Sequence, residues 1–248
     1  FGKRQQKVVP RIAMTQTQKI EEDILTGSTE CHLVSVGAHN QQFMLIHEMV
    51  LDPFYRLRAD AEKQGFDLCI CSGFRSYERQ LAIWNGKLSG NRPVYDQSGK
   101  PLRLNQLNDW EKVQAVLRWS AMPGASRHHW GTDIDIFDAN AMTEGYQIQL
   151  TPEECEGQGL FAPMHQWLTG ALANGEQNTY GFFQPYATDK GGVAPERWHL
   201  SYGPIAKFYG EQLSKSIIRQ KLSRDANLMY LDVVLDHLDE IFERFVQI

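Results

Sequence analysis

Between Thr132 and Phe137 the chain alternates. Thr132, Ile134 and Ile136 fall on one side and Asp133, Asp135 and Phe137 on the other, which predicts a strand with one apolar face and one face bearing two acids. Shorter apolar runs at Asp67–Ser72, Tyr146–Leu150, Tyr180–Phe183 and Trp198–Tyr202 predict further strands. Helical spacing occupies the ground between them. Met14 to Ile24 is polar and helical, and Gly27 and Ser28 break it. Phe54, Leu57 and Ala61 form a stripe behind Asp52-Pro53, which read as an N-cap and first helical residue, with Gly65 as the stop. Ser76 caps a helix with Leu81, Ala82 and Trp84 inward, and Asn108 with Glu111 has the pattern of a capping box. Phe161 to Ala173 is a helix stopped near Gly175. Asn91 to Leu107, with Pro93, Gly99 and Pro101, reads as a long excursion, a hairpin with Ser98-Gly99 at its tip.

From Ile205 onward Leu228, Leu231, Val234, Leu235, Leu238, Ile241 and Phe245 recur at helical intervals, predicting a pair of helices over one side of the core. Strands and helices interleave irregularly, with loops long enough for hairpins. The expectation is therefore an α+β single domain with a central antiparallel sheet, flanking helices and a C-terminal helical pair, not a doubly wound parallel sheet. It divides as an N-terminal extension at 1–30, a main unit at 31–203, and C-terminal helices at 204–248 packed on the same domain.

Composition excludes more than it selects. A length of 248 residues, 42% hydrophobic and 22% charged, suits one globular domain with a sizeable core. A net charge of −5 argues against nucleic acid or an anionic membrane surface as partner, and no apolar run approaches the ~20 residues of a membrane span. Phe1 to Ala13 is basic and polar without an apolar stretch, unlike an intact signal peptide. It reads either as a mature end left after export or as a leader ahead of a start at Met14. Cys31, Cys69, Cys71 and Cys155 contain no C-x-x-C pair, so they read as small buried thiols, with a Cys31–Cys155 bridge as the alternative.

The chemistry gathers in two distant stretches, Ser126 to Asp135 and Glu196 to His199. An acid on a strand that otherwise reads as core needs a partner, because an unpaired buried charge costs roughly several kcal/mol. A divalent metal held by His128, Asp135 and His199 supplies one and leaves a fourth position open, as in catalytic zinc sites. Each of these residues taken singly is more often ordinary core or surface; the joint arrangement is what points to metal. Glu196 precedes His199 in a loop marked by Pro195, where a bend would set it over the metal as a general base; otherwise it is a solvated acid. Arg75 follows a predicted strand and Gly73, placed to grip a carboxylate with paired hydrogen bonds, or else to sit on the surface near the next helix. Two histidines and one carboxylate also form the triad of non-haem iron oxygenases, which have no use for a glutamate beside the metal.

Ser126-x-His128-x-x-Gly131-x-x-x-Asp135, followed by Glu196-x-x-His199 and preceded by Ser72-Gly73-Phe74-Arg75-Ser76, resembles the VanY-type D-Ala-D-Ala carboxypeptidases. These belong to a zinc peptidase group that also includes D-Ala-D-Ala dipeptidases and the hedgehog zinc domain. The resemblance runs from Leu68 to Tyr202. It implies that His128, Asp135 and His199 ligate Zn2+ and that Glu196 is the catalytic base. Arg75 would hold the terminal carboxylate or the oxyanion, and Ser126 would bind substrate. The implied partners are peptidoglycan stem peptides or free muropeptides, and the implied location is the periplasm or cell envelope, with the cytoplasm as alternative. Dipeptidase, L,D-carboxypeptidase, cell-wall endopeptidase and non-catalytic zinc module remain rival outcomes of one site.

Asp133 departs from the family, which usually has a small residue there; it either orients a ligand imidazole or competes as a ligand. His129 reads as a satisfied structural histidine, and Trp84, Trp130 and Trp198 as walls of the cleft or as core.

Overall fold

The computed structural model describes residues 21–37, 43–96 and 100–247. Its centre is a four-stranded antiparallel sheet of order β3-β4-β6-β5, formed by Leu68–Ser72, Asp133–Asp138, His199–Tyr202 and Phe182–Phe183. A separate two-stranded hairpin, β1 (Leu33–Gly37) and β2 (Phe43–His47), lies upstream. The fold is α+β, as expected. Asp135 stands opposite His199 in the ladder and Asp133 opposite Ser201, so the neighbouring strand brings His199 to Asp135 and a serine hydroxyl to Asp133 without any loop.

One face of the sheet is covered by helices. The alternation on β4 sends Ile134 and Ile136 into a core with Phe54, Leu57 and Ala61 of α2 (Leu51–Glu62) and with Met164 and Leu168 of α6 (Ala162–Ala173). Each such fully buried aliphatic or aromatic side chain contributes roughly 1.5–3 kcal/mol. A second core joins α3 (Tyr77–Leu88) and α4 (Asp109–Leu117) to the C-terminal helices through Trp84, Val113, Val116, Ile218, Leu238 and Ile241. The short helices α1 (Glu22–Leu25) and α5 (Pro152–Cys155) flank these units. The C-terminal part is helical, divided into α7 (Gly203–Gln212), α8 (Lys215–Leu222), α9 (Leu231–Asp236) and α10 (Leu238–Ile241). Among the described residues no helix is long and apolar enough to cross a membrane.

Local signals decide the helix starts. Ser76 Oγ accepts from Arg79 N–H, and Asn108 and Glu111 exchange side-chain to backbone bonds at 2.9 and 2.8 Å in a capping box. At α2 the expectation needs correction. Asp52 lies inside the first turn, because a 3-10 turn at Glu48–Val50, capped by His47, feeds directly into the helix. On α3 the inward side is Tyr77, Gln80, Trp84 and Leu88, and Ala82 is exposed.

The expected strand at Tyr146–Leu150 is absent. The Glu154 carboxylate accepts the backbone N–H groups of Gln149 and Leu150, taking the donors a ladder would need, and Leu150 is left-handed at φ 54°. Tyr180–Phe183 shrinks to two residues because Tyr180 and Gly181 adopt φ 56° and 97°. Asn91–Leu107 does fold back on itself: Leu102 N–H reaches Val94 O at 2.7 Å and Tyr95 bridges Pro101. Its expected tip at 98–99, and the expected helix from Met14 up to residue 20, lie outside the described residues. All four cysteines are free thiols, so Cys31 and Cys155 form no bridge.

Candidate active site

His128 rides on a 3-10 turn, Arg127–Trp130, that ends in Gly131 at φ 67° and turns directly into β4. A side chain at Gly131 would meet Leu33 Cδ2 at 2.5 Å and the His47 backbone nitrogen at 2.8 Å, so this corner requires glycine. The loop is tied down on both sides. Gly131 O accepts from His47 N–H at 2.8 Å, and His128 O accepts from Arg75 N–H at 3.0 Å. Those bonds connect the loop to β2 and to the segment that follows β3.

Three expected residues converge. One nitrogen or oxygen each from His128, Asp135 and His199 lies within 4.8 Å of the others, all buried. Asp135 Oδ2 is 3.3 Å from His128 Nε2, and its Oδ1 is 3.3 Å from His199 Nδ1. The remaining nitrogens are already committed: His128 Nδ1 donates to Gly73 O at 2.8 Å, and His199 Nε2 donates to Asp133 Oδ1 at 2.9 Å. Each ring is thereby fixed in the tautomer that aims a lone pair at Asp135. Asp135 Oδ1 is buried and accepts no hydrogen bond despite the nearby ring, which leaves its charge without a donor.

The electrostatics point the same way. Burial opposes the charge on Asp135, but the two imidazoles, His128 foremost, hold its carboxyl well below the usual carboxylate range. Burial also works against an imidazolium at His199, yet the bond to Asp133 and the neighbouring carboxylates of Asp135 and Glu196 raise it well above its ordinary value. The acids gathered around His199 favour positive charge at this point, so the site has the charge and the donor set to take a divalent ion. Two imidazoles and one carboxylate fit a catalytic zinc or a similar ion with a position left open.

Asp133 does not join the donor group. Its Oδ1 also accepts from Arg127 Nε at 2.8 Å, and its Oδ2 accepts from Thr132 Oγ1 at 2.7 Å and Ser201 Oγ at 3.1 Å. Burial alone would raise this carboxyl, but Arg127 and then His199 hold it below the usual range. With four donors around it, Asp133 is an orienting anion behind His199. Arg127, Thr132 and Ser201 carry no motif of their own, and only the register Asp133 opposite Ser201 reveals them.

Glu196 sits in the loop before β6, where His199 N–H closes a turn onto Glu196 O at 3.2 Å. The turn brings Glu196 Oε2 to 3.4 Å from His199 Nδ1. Arg75 approaches from the other side, Nη2 3.9 Å from Asp135 Oδ2. Its guanidinium is held by Gln80 Oε1 at 2.9 Å and Ser72 Oγ at 3.2 Å, and Gln80, wholly buried, is anchored in turn to Ala121 O at 2.6 Å.

These groups line one cleft of about 580 Å3 that also includes Ser126. Trp198 is in its wall, but Trp84 and Trp130 belong to the core; Trp119 and Tyr186 line the cleft and went unnoticed in the sequence. Tyr186 packs edge-on against the His199 ring at 5.0 Å, and burial pushes its phenol up to about 12. Tyr95, from the 91–107 excursion, lines the cleft as well. His129 is structural: its Nδ1 donates to Arg75 O at 2.6 Å and its Nε2 accepts from Gly124 N–H at 3.0 Å.

Comparison with known proteins points to one family. Residues 44–205 match the profile of the VanY family, described as D-alanyl-D-alanine carboxypeptidase. An uncharacterised protein of Haemophilus influenzae is 43% identical over 104 residues, spanning 42% of this chain and 71% of that protein. The putative carboxypeptidase YodJ of Bacillus subtilis is 26% identical over 145 residues, 57% of this chain and 40% of its own length. Among solved structures, VanYB in complex with D-alanine-D-alanine is 23% identical with a TM-score of 0.45, covering 73% of this chain and 84% of that one.

Proposed function

The chain belongs to the VanY family of D-alanyl-D-alanine carboxypeptidases, and from that membership we propose a zinc peptidase that removes the C-terminal D-alanine of peptidoglycan-type peptides. The observation that carries this reading is the convergence of His128, Asp135 and His199 within 4.8 Å, beside Glu196 and Arg75 in one cleft. In this proposal those three residues hold Zn2+. Residues 31–203 form the peptidase unit, and the helices of 204–248 buttress it through the core they share with α3 and α4.

Bound zinc would supply a water of pKa near 7 and polarise the scissile carbonyl. The protein's own groups do the rest. Glu196 takes the proton of the attacking water on its carboxylate and returns it to the departing amine. Arg75, pre-aimed by Gln80 and Ser72, binds the terminal carboxylate or the developing oxyanion through a charge-assisted pair. Ser126 offers a hydroxyl from the cleft wall to the peptide. Asp133 keeps the His199 ring from rotating, and Asp135 holds the negative charge that the metal requires.

The test is digestion of defined tripeptide, tetrapeptide and pentapeptide stems by the full chain, with zinc and with chelator, read by mass spectrometry. Loss of one C-terminal alanine from the pentapeptide, abolished by chelator, is expected. Release of a dipeptide, cleavage of the tetrapeptide alone, or internal cuts would reassign the bond while keeping the site. Glu196→Ala should retain zinc and lose roughly 10²–10⁴ in turnover. Parent-like rates in that variant would overturn the mechanism.

A further inference from the structure

Two more cations line the same cleft and have no part in the chemistry above: Lys87, on the last turn of α3, and Arg92, just beyond it. Arg92 is held against the helix by its N–H to Gly86 O at 2.8 Å, and its side chain packs over Gly86. Lys63, Lys112 and Lys215 each meet an acid at 2.6–2.8 Å. Lys87 differs. Among the described residues it forms no ion pair, and its Nζ has one long bond, to Trp119 O at 3.5 Å. An ammonium has three donors, so two are left without a protein acceptor among the described residues, on a side chain that lines the cleft. Burial lowers this ammonium to about 8, against the pull of Glu196 and with the push of Arg75 and Arg92. A half-buried cation crowded by guanidinium groups is best satisfied by an incoming anion.

We propose that Lys87 is a substrate-binding residue that takes a peptide carboxylate, either the terminal one or one on a side chain just upstream of the scissile bond. The assignment rests on the peptidase reading of the cleft and deepens it. Arg75 is committed beside Asp135 by Gln80 and Ser72, and Lys87 is a separate cationic post in the same space. A substrate with two acidic groups could engage both. Among stem peptides, that class carries a diamino dicarboxylic residue where others carry lysine.

The experiment uses three peptides. One has a free C-terminus and a diaminopimelate residue; the second has the C-terminus amidated; the third has lysine in place of diaminopimelate. Affinities are measured by calorimetry on the zinc-loaded full chain carrying Glu196→Gln, with and without Lys87→Met or Lys87→Arg, and KM and kcat are measured without Glu196→Gln. Lys87→Met should weaken the first peptide by roughly 10-fold to 100-fold, with the loss falling on KM rather than kcat, and Lys87→Arg should recover most of it. The penalty should vanish on one analogue. Vanishing on the amide identifies the terminal carboxylate, and vanishing on the lysine peptide identifies the side-chain carboxylate. Equal loss on all three peptides, no loss on any, or no measurable affinity in the parent overturns the assignment. If the parent binds these peptides but does not cleave them, the peptidase reading fails while the affinities still decide Lys87.

Discussion

Asp133 Oδ1 accepts from His199 Nε2 at 2.9 Å, and that contact decides which imidazole nitrogen faces the cleft. The carboxylate is fully buried, tied to Arg127, Thr132 and Ser201, so it has no freedom to swing toward an ion. Asp133→Asn should therefore lower zinc affinity by roughly 10–100-fold without removing a ligand. Competition against a chromophoric chelator measures this, and unchanged affinity would show that His199 is oriented by other means. Asp133→Ala is expected to do more harm. It strands the Arg127 guanidinium in the interior and should destabilise the fold by roughly 3–5 kcal/mol, readable in urea denaturation.

Gly131 sets the angle between the His128 turn and β4. Its φ of 67° and the 2.5 Å and 2.8 Å approaches to Leu33 and His47 leave no room for a methyl group, and one of those approaches is to backbone. Gly131→Ala should lose roughly 2–4 kcal/mol of stability, from left-handed strain plus displacement of β2. Its zinc affinity should fall as well, since His128 moves with the loop. A variant as stable as the parent would mean that the corner relaxes.

Much of this was legible before any coordinates. The alternation of Ile134 and Ile136 with Asp133 and Asp135 fixed the face of each residue, and strand geometry preserves that order whatever packs around it. The convergence of His128, Asp135 and His199 was legible because two imidazoles and an acid in apolar surroundings demand a shared partner. The residues that hold the site open were not. Gln80 reads as one more polar helix residue, and its value lies in reaching Arg75 and Ala121 O together. Arg127 and Ser201 are 74 positions apart and meet only through strand register. Trp119 and Trp84 have the same composition signal, and tertiary packing alone sends one to the cleft and the other to the core. Tyr146–Leu150 failed as a strand because the carboxylate of Glu154, four residues past Leu150, captured its donors.

Stability should fall on mild acidification through His47. Its Nδ1 accepts from Met49 N–H and its Nε2 donates to Tyr209 Oη, so the ring is satisfied only when neutral. Burial, and then His32 nearby, lowers it to about 4 from an ordinary 6.5. Between those values the unfolded chain binds the proton and the folded one does not, so stability rises with pH there and is lost as pH falls from about 6.5 toward 4. The effect is on the order of 1–3 kcal/mol. Denaturation midpoints at pH 7.5 and 5, as conditions roughly spanning this range, should differ less in His47→Gln than in the parent. An identical pH slope in both would remove His47 from the explanation.

Zinc should stabilise the folded chain, because the three donors meet only there. His128 and Asp135 are joined by a turn and a strand, and His199 arrives from a segment more than sixty positions later, so the unfolded chain offers no comparable site. An ion that binds only the folded state adds about 2.7 kcal/mol at a free concentration of about 100 times its Kd. For a domain of this size that corresponds to a rise of roughly 5–10 °C in Tm. Scanning calorimetry of the chain with zinc against chelator should show the shift. His128→Ala should abolish it, because the remaining two donors make a weak pair. Glu196→Gln should keep it, because the metal does not need the base in order to bind. If the shift survives His128→Ala, the ion sits elsewhere on the protein and the triad is not its site.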